Sequence, residues 1–281
     1  MFKILLKKEL SKGVFLMEID APHIAKKVQP GQFIIFRVNE TGERVPLTIA
    51  DFNREKGSIT IICQAVGKST KLLASLSEGD YILDVAGPLG SPTEFGEAKK
   101  VAVIGGGVGC AIAYPQAKAL SKMGASVDMI AGFRSRDIVI LEDEMKAVAE
   151  RLFITTDDGS YGEKGFVTDK LNTLIEEGGN YDLVIAIGPV PMMRAVCEVT
   201  RPFGIKTIVS LNPIMIDGTG MCGGCRVTVG GEIKFACVDG PDFDGHQVDF
   251  SELMKRNATY RDIERERDEH FCRITVEKKN G

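Results

Sequence analysis

Tryptophan is absent from this sequence of 281 residues, histidine occurs only three times, and aromatic residues make up only 7% of the chain. Long hydrophobic runs are also missing. The longest uncharged stretch, residues 101–117, falls short of the roughly 20 residues that a membrane helix needs. Neither sign of charge predominates, because the chain has 35 Lys and Arg residues and 39 Asp and Glu residues, which gives a formal net charge of -4. We therefore expect neither a membrane protein nor a general nucleic-acid binder.

The amino terminus and the cysteines both bear on where the protein works. The first ten residues lack the long apolar segment and the small-residue cleavage site of a secretory signal, so we expect a cytoplasmic protein. Seven cysteines are an odd number, and three of them, Cys222, Cys225 and Cys237, lie within sixteen residues. In the reducing cytoplasm such thiols stay free of disulfides. Their clustering therefore indicates metal ligation.

Three kinds of sequence pattern follow one another along the chain. Up to about residue 90, short runs rich in Val, Ile, Phe and Thr alternate with turn residues, which is typical of a small antiparallel β-barrel. From residue 99, apolar strands alternate with helical segments, which predicts an α/β domain with a doubly wound parallel sheet. A Gly- and Cys-rich segment then precedes a charged stretch that we expect to form a helix. We place the three parts at residues 1–97, 98–211 and 212–281.

The Gly- and Cys-rich segment has the spacing D-x4-C-x2-C-x11-C, from Asp217 through Cys222 and Cys225 to Cys237. Plant-type [2Fe–2S] sites have C-x4-C-x2-C and a distant fourth cysteine, so Asp217 stands where the first thiolate would be. We predict a [2Fe–2S] cluster with these four residues as ligands. A carboxylate is a harder donor than a thiolate, and a water or another residue is the alternative to Asp217. A structural zinc knuckle and unliganded cysteines are the alternatives for the whole segment.

Two strand ends of the predicted parallel sheet carry glycine. Four glycines follow the strand at residues 101–104: Gly105, Gly106, Gly107 and Gly109. A strand, a glycine-rich turn and a helix form the context of a dinucleotide-binding loop, and a plain tight turn is the alternative. Gly188 and Pro189 close another strand at the same edge of the sheet, where doubly wound folds bind ligands. Arg134 and Arg136 follow the second strand and either bind a 2′-phosphate or are solvated.

Six residues of the barrel could hold a phosphorylated cofactor: Arg44, Thr48, Gln64, Gly67, Ser69 and Thr70. They combine a cation and hydroxyl groups with a glycine that precedes a short helix, whose N-terminus favours a diphosphate. Ser69 and Thr70 are equally suited to act as ordinary helix caps.

A barrel, a nucleotide-binding sheet and a plant-type cluster loop in this order resemble the ferredoxin-NADP reductase-like electron-transfer subunits, which include the dihydroorotate dehydrogenase electron-transfer subunit. Within that family, residues 44–51, 67–70 and 217–222 are similar to the small subunits of NADH-dependent reduced ferredoxin:NADP oxidoreductases. The resemblance implies FAD in the barrel, with its isoalloxazine ring near Arg44, Pro46, Leu47 and Thr48. It also implies that the FAD diphosphate binds at Gly67, Ser69 and Thr70, and that NAD(H) lies against the turns at Gly105 to Gly109 and Gly188 to Pro189.

The sequence departs from the family pattern at two places. The flavin motif R-x-Y-S/T appears with Thr48 four residues after Arg44 and without tyrosine. Ile187 replaces the cysteine that commonly precedes Gly-Pro in reductases of this fold, so we expect no cysteine to assist hydride transfer. We also expect no acid–base side chain to be essential, because the flavin itself carries out the chemistry.

The resemblance implies that hydride passes between NAD(H) and FAD and that single electrons pass through the [2Fe–2S] cluster to a larger partner subunit. That subunit would carry a second FAD and two [4Fe–4S] clusters, and the heterodimer would react with NADP(H) and ferredoxin by electron bifurcation. A dihydroorotate dehydrogenase electron-transfer subunit is the alternative within the family, and Asp217 in place of cysteine argues against it. A zinc-stabilised nucleotide-binding regulator is the alternative outside it.

Overall fold

A computed structural model of the protein describes residues 1–266 as an antiparallel barrel sheet followed by a mainly parallel sheet with helices. This architecture confirms the predicted fold class. The last part of the predicted charged helix, with His270 and Cys272, lies outside the described residues. Within residues 1–266, every helix is too short or too polar to cross a membrane.

Seven strands form the N-terminal sheet in the order β6-β1-β2-β5-β4-β3-β7, and each neighbouring pair is antiparallel. The strands are β1 (Phe2–Ser11), β2 (Val14–Asp20), β3 (Phe33–Arg37), β4 (Val45–Asn53), β5 (Ser58–Gln64), β6 (Tyr81–Ile82) and β7 (Asp84–Leu89). Helices α1 (Pro22–Ala25) and α2 (Lys68–Ser75) belong to this part. Its interior is filled by fully buried apolar side chains such as Ile4, Met17 and Ile61, which stabilise the barrel by removing apolar surface from water.

The second sheet has the order β11-β10-β9-β8-β12-β13-β16 and is parallel except for its last strand. Its first six strands in chain order are β8 (Lys100–Gly106), β9 (Ser126–Phe133), β10 (Arg151–Thr156), β11 (Glu163–Lys164), β12 (Leu183–Ile187) and β13 (Lys206–Ser210). The connecting helices are α3 (Cys110–Lys122), α4 (Glu142–Val148), α5 (Val167–Glu176) and α6 (Val190–Thr200). The strand β12 is buried along its whole length, as expected of a strand that helices cover on both faces.

The segment after residue 211 contacts both preceding parts. Strands β14 (Arg226–Val229) and β15 (Glu232–Phe235) form a hairpin, while β16 (Asp242–Asp244) adds antiparallel to β13 at the edge of the second sheet. Helix α7 (Phe250–Asn257) follows, within the stretch predicted to be helical. The boundaries that we place near residues 97 and 211 stay predictions.

One hydrophobic cluster continues from the barrel into the second sheet. Ala50 and Ile62 of the barrel belong to the same buried cluster as Ala113 and Ala117 of α3. Beside it, Lys118 Nζ of α3 lies 2.7 Å from Asp51 Oδ2 of β4. This packing fixes the barrel against the second sheet, so that the functional edges of the two keep one relative position.

Candidate functional site

The predicted nucleotide-binding turns lie side by side. Strand β8 pairs with β12 in a register that places Gly105 opposite Ile187, so both strands end at the same edge of the sheet. A side chain on Gly109 would collide with the Ile187 carbonyl oxygen and come within 2.9 Å of Gly188 Cα. A side chain on Gly106 would lie 3.1 Å from Pro189 Cδ. Glycine at position 109 is therefore required for the two turns to touch.

Gly107 occupies the apex of the first turn and differs from its neighbours. Its φ of 56° lies in the left-handed region that favours glycine, and a Cβ atom built on it would meet no atom within 4 Å. The backbone at the apex is therefore open to a ligand, and the helix α3 begins just behind it. This is the geometry in which backbone N–H groups receive a diphosphate.

The arginines after β9 have different surroundings. The guanidinium of Arg136 lies 5.3 Å from the centre of the Tyr161 ring, and the Tyr161 hydroxyl donates to Glu142 at 2.9 Å. Arg136 thus has an aromatic partner within the protein. Arg134 is exposed, two residues beyond Gly132, which pairs with Gly106 across the sheet. Arg136 is exposed as well, and binding of a 2′-phosphate by either arginine stays a prediction.

The residues predicted near the flavin ring lie along the first half of β4. Pro46, Leu47 and Thr48 are half-buried, while Arg44 is exposed just before the strand. Gln64 ends β5, and β5 packs against the turn that contains Gly107. The end of the barrel that holds these residues therefore meets the nucleotide edge of the second sheet.

Helix α2 begins at the predicted diphosphate site. Thr70 Oγ1 accepts hydrogen bonds from the backbone N–H groups of Val66 (3.1 Å) and Gly67 (3.0 Å), so Thr70 organises the turn before the helix. Ser69 Oγ donates to Glu43 at 2.9 Å. A small surface depression lies between Ser69, Lys68 and the segment 38–43. The helix N-terminus, the Ser69 hydroxyl and Lys68 suit a bound phosphate group, but Glu43 lines the same opening and would have to release Ser69.

The opposite end of α2 is held by a residue that the sequence analysis missed. Lys7 Nζ of β1 donates to the carbonyl oxygens of Ala74 and Leu76, the latter at 2.6 Å. These carbonyl groups end the helix and lack partners within it. Lys7 looks like an ordinary alternating strand residue, so only the tertiary structure reveals its contact with α2.

The four predicted ligands of the cluster segment take part in hydrogen bonds within that segment. Asp217 Oδ2 accepts from the N–H of Cys222 at 2.9 Å, and its Oδ1 accepts from Thr219 N at 2.9 Å, which lowers the pKa of the Asp217 carboxyl. The N–H of Cys237 donates to Cys225 Sγ at 3.4 Å. Burial, and after it the Cys225 thiol, raises the pKa of Cys237 to about 12, so a bound cation is needed to keep the Cys237 sulfur ionised.

Within residues 1–266, no three side chains of His, Cys, Asp or Glu converge on a point that could hold one metal ion. The spacing of the four predicted ligands, which is that of a plant-type site with Asp217 in the first position, is what favours a two-iron cluster. Backbone N–H groups also face the sulfurs, because Gly224 N donates to Cys222 Sγ at 3.4 Å.

The cluster segment is seated on the barrel. Phe33 and Ile35 of β3 pack with Cys225 and Cys237 in one buried group. The φ of Gly218 is 76°, and a Cβ atom there would lie 2.7 Å from both Ile35 Cδ1 and Leu89 Cδ1. No local sequence signal identifies Ile35 or Leu89 as neighbours of the cluster segment, because they are ordinary apolar strand residues.

The strand pairing of the barrel relates this seat to the predicted flavin site. Ile35 pairs with Pro46, and Phe33 pairs with Thr48. Neighbouring strands lie about 4.8 Å apart. The cluster segment therefore contacts β3, the strand next to the stretch of β4 that is predicted to contact the flavin ring. The nucleotide turns contact the same barrel through β5.

Comparisons with known proteins agree with this arrangement. Residues 212–249 match the family described as the iron-sulfur cluster binding domain of dihydroorotate dehydrogenase B. A Thermotoga maritima protein described as a dihydroorotate dehydrogenase B (NAD(+)) electron transfer subunit homolog is 47% identical over 275 residues, which cover 98% of this chain and 97% of that protein. An uncharacterized Clostridium beijerinckii protein is 53% identical over 269 residues, covering 93% and 91%.

Comparison with solved structures indicates the same family. A chain from the structure of an NADH-dependent reduced ferredoxin-NADP oxidoreductase, studied for flavin-based electron bifurcation, superposes with a TM-score of 0.91 at 47% identity, covering 97% of this chain and 98% of that one. The ferredoxin reductase of carbazole 1,9a-dioxygenase has a TM-score of 0.62 at 19% identity, which shows a shared fold. On its identity to these relatives over nearly the whole length, the chain belongs to the family of ferredoxin-NADP reductase-like electron-transfer subunits, alongside those of dihydroorotate dehydrogenase B and of NADH-dependent reduced ferredoxin-NADP oxidoreductase.

Proposed function

We propose that this chain is the NAD(H)-linked electron-transfer subunit of a flavin-based, electron-bifurcating ferredoxin:NADP oxidoreductase. The observation that carries the proposal is the contact of one barrel with two other sites. The nucleotide turns meet it through β5, and the cluster segment is seated on β3 through Gly218. A flavin bound in the barrel would lie between the nucleotide and the cluster, which suits electron transfer from the nucleotide to the cluster by way of the flavin.

The barrel and the second sheet divide the binding work. Arg44 and the stretch Pro46 to Thr48 would hold the flavin ring, and the N-terminus of α2 with Ser69 and Thr70 would hold the diphosphate of FAD. The glycine turns would let NAD(H) approach closely, since side chains there would fill the space between the two strand ends. When bound, FAD accepts a hydride and releases its two electrons one at a time, which no side chain of the protein can do.

The cluster segment would pass electrons from this chain to another protein. Asp217, Cys222, Cys225 and Cys237 would hold a [2Fe–2S] cluster, with the N–H groups of Gly224 and Cys237 directed at sulfur. Hydrogen bonds to sulfur tune the potential of such clusters. Cys222 is exposed whereas Cys225 and Cys237 are buried, so one side of the site faces solvent and is accessible to another protein.

A larger partner subunit completes the proposal. The four predicted ligands suffice for one two-iron cluster, so electrons that enter the chain must leave it to a second protein. We propose that this partner carries a second FAD and two [4Fe–4S] clusters and reacts with NADP(H) and ferredoxin. The support is the close similarity to a chain of the NADH-dependent reduced ferredoxin-NADP oxidoreductase. Partnership with a dihydroorotate dehydrogenase is the second candidate, favoured by the family match over residues 212–249.

Purification of the native complex without oxygen tests the proposal. We expect this chain to co-purify with a flavin-containing iron–sulfur subunit, and about two of the irons to belong to this chain. NADH should reduce the isolated subunit faster than NADPH. A dihydroorotate-oxidising partner would instead assign the chain to the second candidate. Zinc without flavin would contradict both.

A further inference from the structure

A buried polar junction links three segments that are far apart in the sequence. Asp242 of β16 accepts hydrogen bonds from Thr93, in the connection between the barrel and the second sheet, and from Gln116 Nε2 of α3 at 3.2 Å. Gln116 is completely buried and Thr93 is 8% exposed. Asp242 keeps some exposed surface, but its carboxyl oxygen Oδ1 is buried. The carboxyl group therefore lies inside the protein.

No cation compensates this carboxyl group among the residues that the structure describes. The side chains that hydrogen-bond to it are those of Thr93 and Gln116, the Ser210 hydroxyl lies beside them, and all three are neutral. Burial raises the pKa of Asp242 above its ordinary value, and these hydrogen bonds oppose the change only in part. A carboxylate is disfavoured in such surroundings, because two neutral donors replace only part of the water that it loses and no opposite charge is present among these partners.

Two oxygen atoms at the junction point to the same conclusion by geometry. Asp242 Oδ1 and Gln116 Oε1 are both buried and have no hydrogen-bond partner. With Asp242 ionised, both atoms are acceptors and neither can satisfy the other. Because Gln116 Nε2 donates to Asp242 Oδ2, the amide and the carboxyl group are in contact, and a proton on Asp242 Oδ1 would supply the donor that Gln116 Oε1 lacks. One proton would thus satisfy both oxygens.

We propose that Asp242 is a neutral carboxylic acid in the folded protein at neutral pH and forms with the Gln116 amide a pair joined by two hydrogen bonds. This acid–amide pair fastens the C-terminal segment to α3 and, through Thr93, to the connection after the barrel. Asp242 is a positioning residue: it lies five residues after Cys237 and opposite Ser210 in the pairing of β16 with β13.

The pair gives the attachment of β16 a defined pH dependence. In the folded protein Asp242 keeps its proton. When β16 detaches, Asp242 is exposed to water and loses this proton above the ordinary carboxyl pKa of about 3.9. The stabilisation is complete below that pH and decreases as the pH rises toward the raised value. Over that range the equilibrium constant for detachment increases by up to about tenfold per pH unit.

Asp242→Asn tests the proposal, since an amide has the shape of the acid and donates toward Gln116 at every pH. Hydrogen exchange at Val209 and Phe243, which pair across β13 and β16, is compared in the full-length holoprotein at pH 5 and pH 7. We expect the ratio of wild-type to variant exchange rates to rise by up to about tenfold per pH unit. Glu94→Gln is the matched control, because Glu94 is an exposed carboxylate next to Thr93 and should leave the ratio constant.

Infrared spectroscopy reads the protonation state directly. The difference spectrum of wild type minus D242N at neutral pH should show the C=O stretch of a protonated carboxylic acid that shifts in D2O. The band should move in Gln116→Met, which removes the partner amide. Carboxylate bands in that spectrum overturn the proposal. So does an Asn variant that exchanges faster than wild type or fails to fold, because both results mean that an ionised Asp242 was the better partner.

Discussion

The seat of the cluster segment on the barrel is tested by Gly218→Ala. The added methyl group would lie 2.7 Å from both Ile35 Cδ1 and Leu89 Cδ1, well inside van der Waals contact. Overpacking of this kind costs about 1–3 kcal/mol. The φ of 76° adds about 1–2 kcal/mol of backbone strain for any residue other than glycine. The segment should therefore shift away from β3, and electrons should reach the cluster more slowly.

Gly220→Ala is the matched control. Gly220 has a φ of 84°, so the backbone strain is the same, but its Cβ would meet Val238 Cγ2 at 3.2 Å instead of the barrel. We expect both variants to lose stability by the strain and only Gly218→Ala to slow reduction of the cluster by NADH in stopped-flow measurements. Ile35→Val removes one of the two colliding atoms and should restore part of the rate when combined with Gly218→Ala.

Two results would refute this reasoning. One is equal slowing in the Gly218 and Gly220 variants, which would mean that backbone strain alone matters. The other is a Gly218→Ala protein with a normal rate, which would mean that the contact with Ile35 does not set the position of the cluster. Flavin reduction by NADH is measured alongside, and it should be unchanged in both variants because the nucleotide turns lie elsewhere.

Three further predictions concern the predicted ligands and one histidine. Thr70→Val removes the acceptor for Val66 and Gly67 N–H groups, and FAD should bind about tenfold more weakly by fluorescence titration, whereas Thr70→Ser should bind normally. Asp217→Cys should retain the cluster but change the electron paramagnetic resonance spectrum of its reduced form; an unchanged spectrum means that Asp217 is not a ligand. Burial lowers the pKa of His246 below 6.5, so its stabilising contribution is present above that pH and is lost as the pH falls. Denaturant midpoints measured from pH 7 to pH 5 should fall less in His246→Gln than in wild type, and parallel curves would exclude this role.

The sequence predicted those features that depend on local pattern. The change from short strands to alternating strands and helices locates the two sheets, and the glycines at 105–109 and 188 predict adjacent turns because parallel strands end at a common edge. Contacts between distant segments have no such local signal. The junction of Asp242 with Gln116 spans 126 positions, and Gly218 meets Ile35, which lies far away in the sequence on a strand of the barrel.

The sequence analysis did not predict strand β16, again because a contact between distant segments forms it. The residues Asp242–Asp244 are polar at two of three positions and give no strand pattern, yet they add to β13 because that edge of the sheet would otherwise leave backbone groups unpaired. The sequence alone left Thr70 either as a helix cap or as a phosphate ligand. The structure shows its capping hydrogen bonds, and its contact with a diphosphate stays a prediction.

Anaerobic titration of the full-length holoprotein with NADH tests the central claim most directly. The account predicts that the flavin absorbance bleaches and that the electron paramagnetic resonance signal of a reduced [2Fe–2S] cluster grows to about one spin per chain. A flavin that bleaches while the cluster stays oxidised, or a protein that carries neither flavin nor iron, would contradict it.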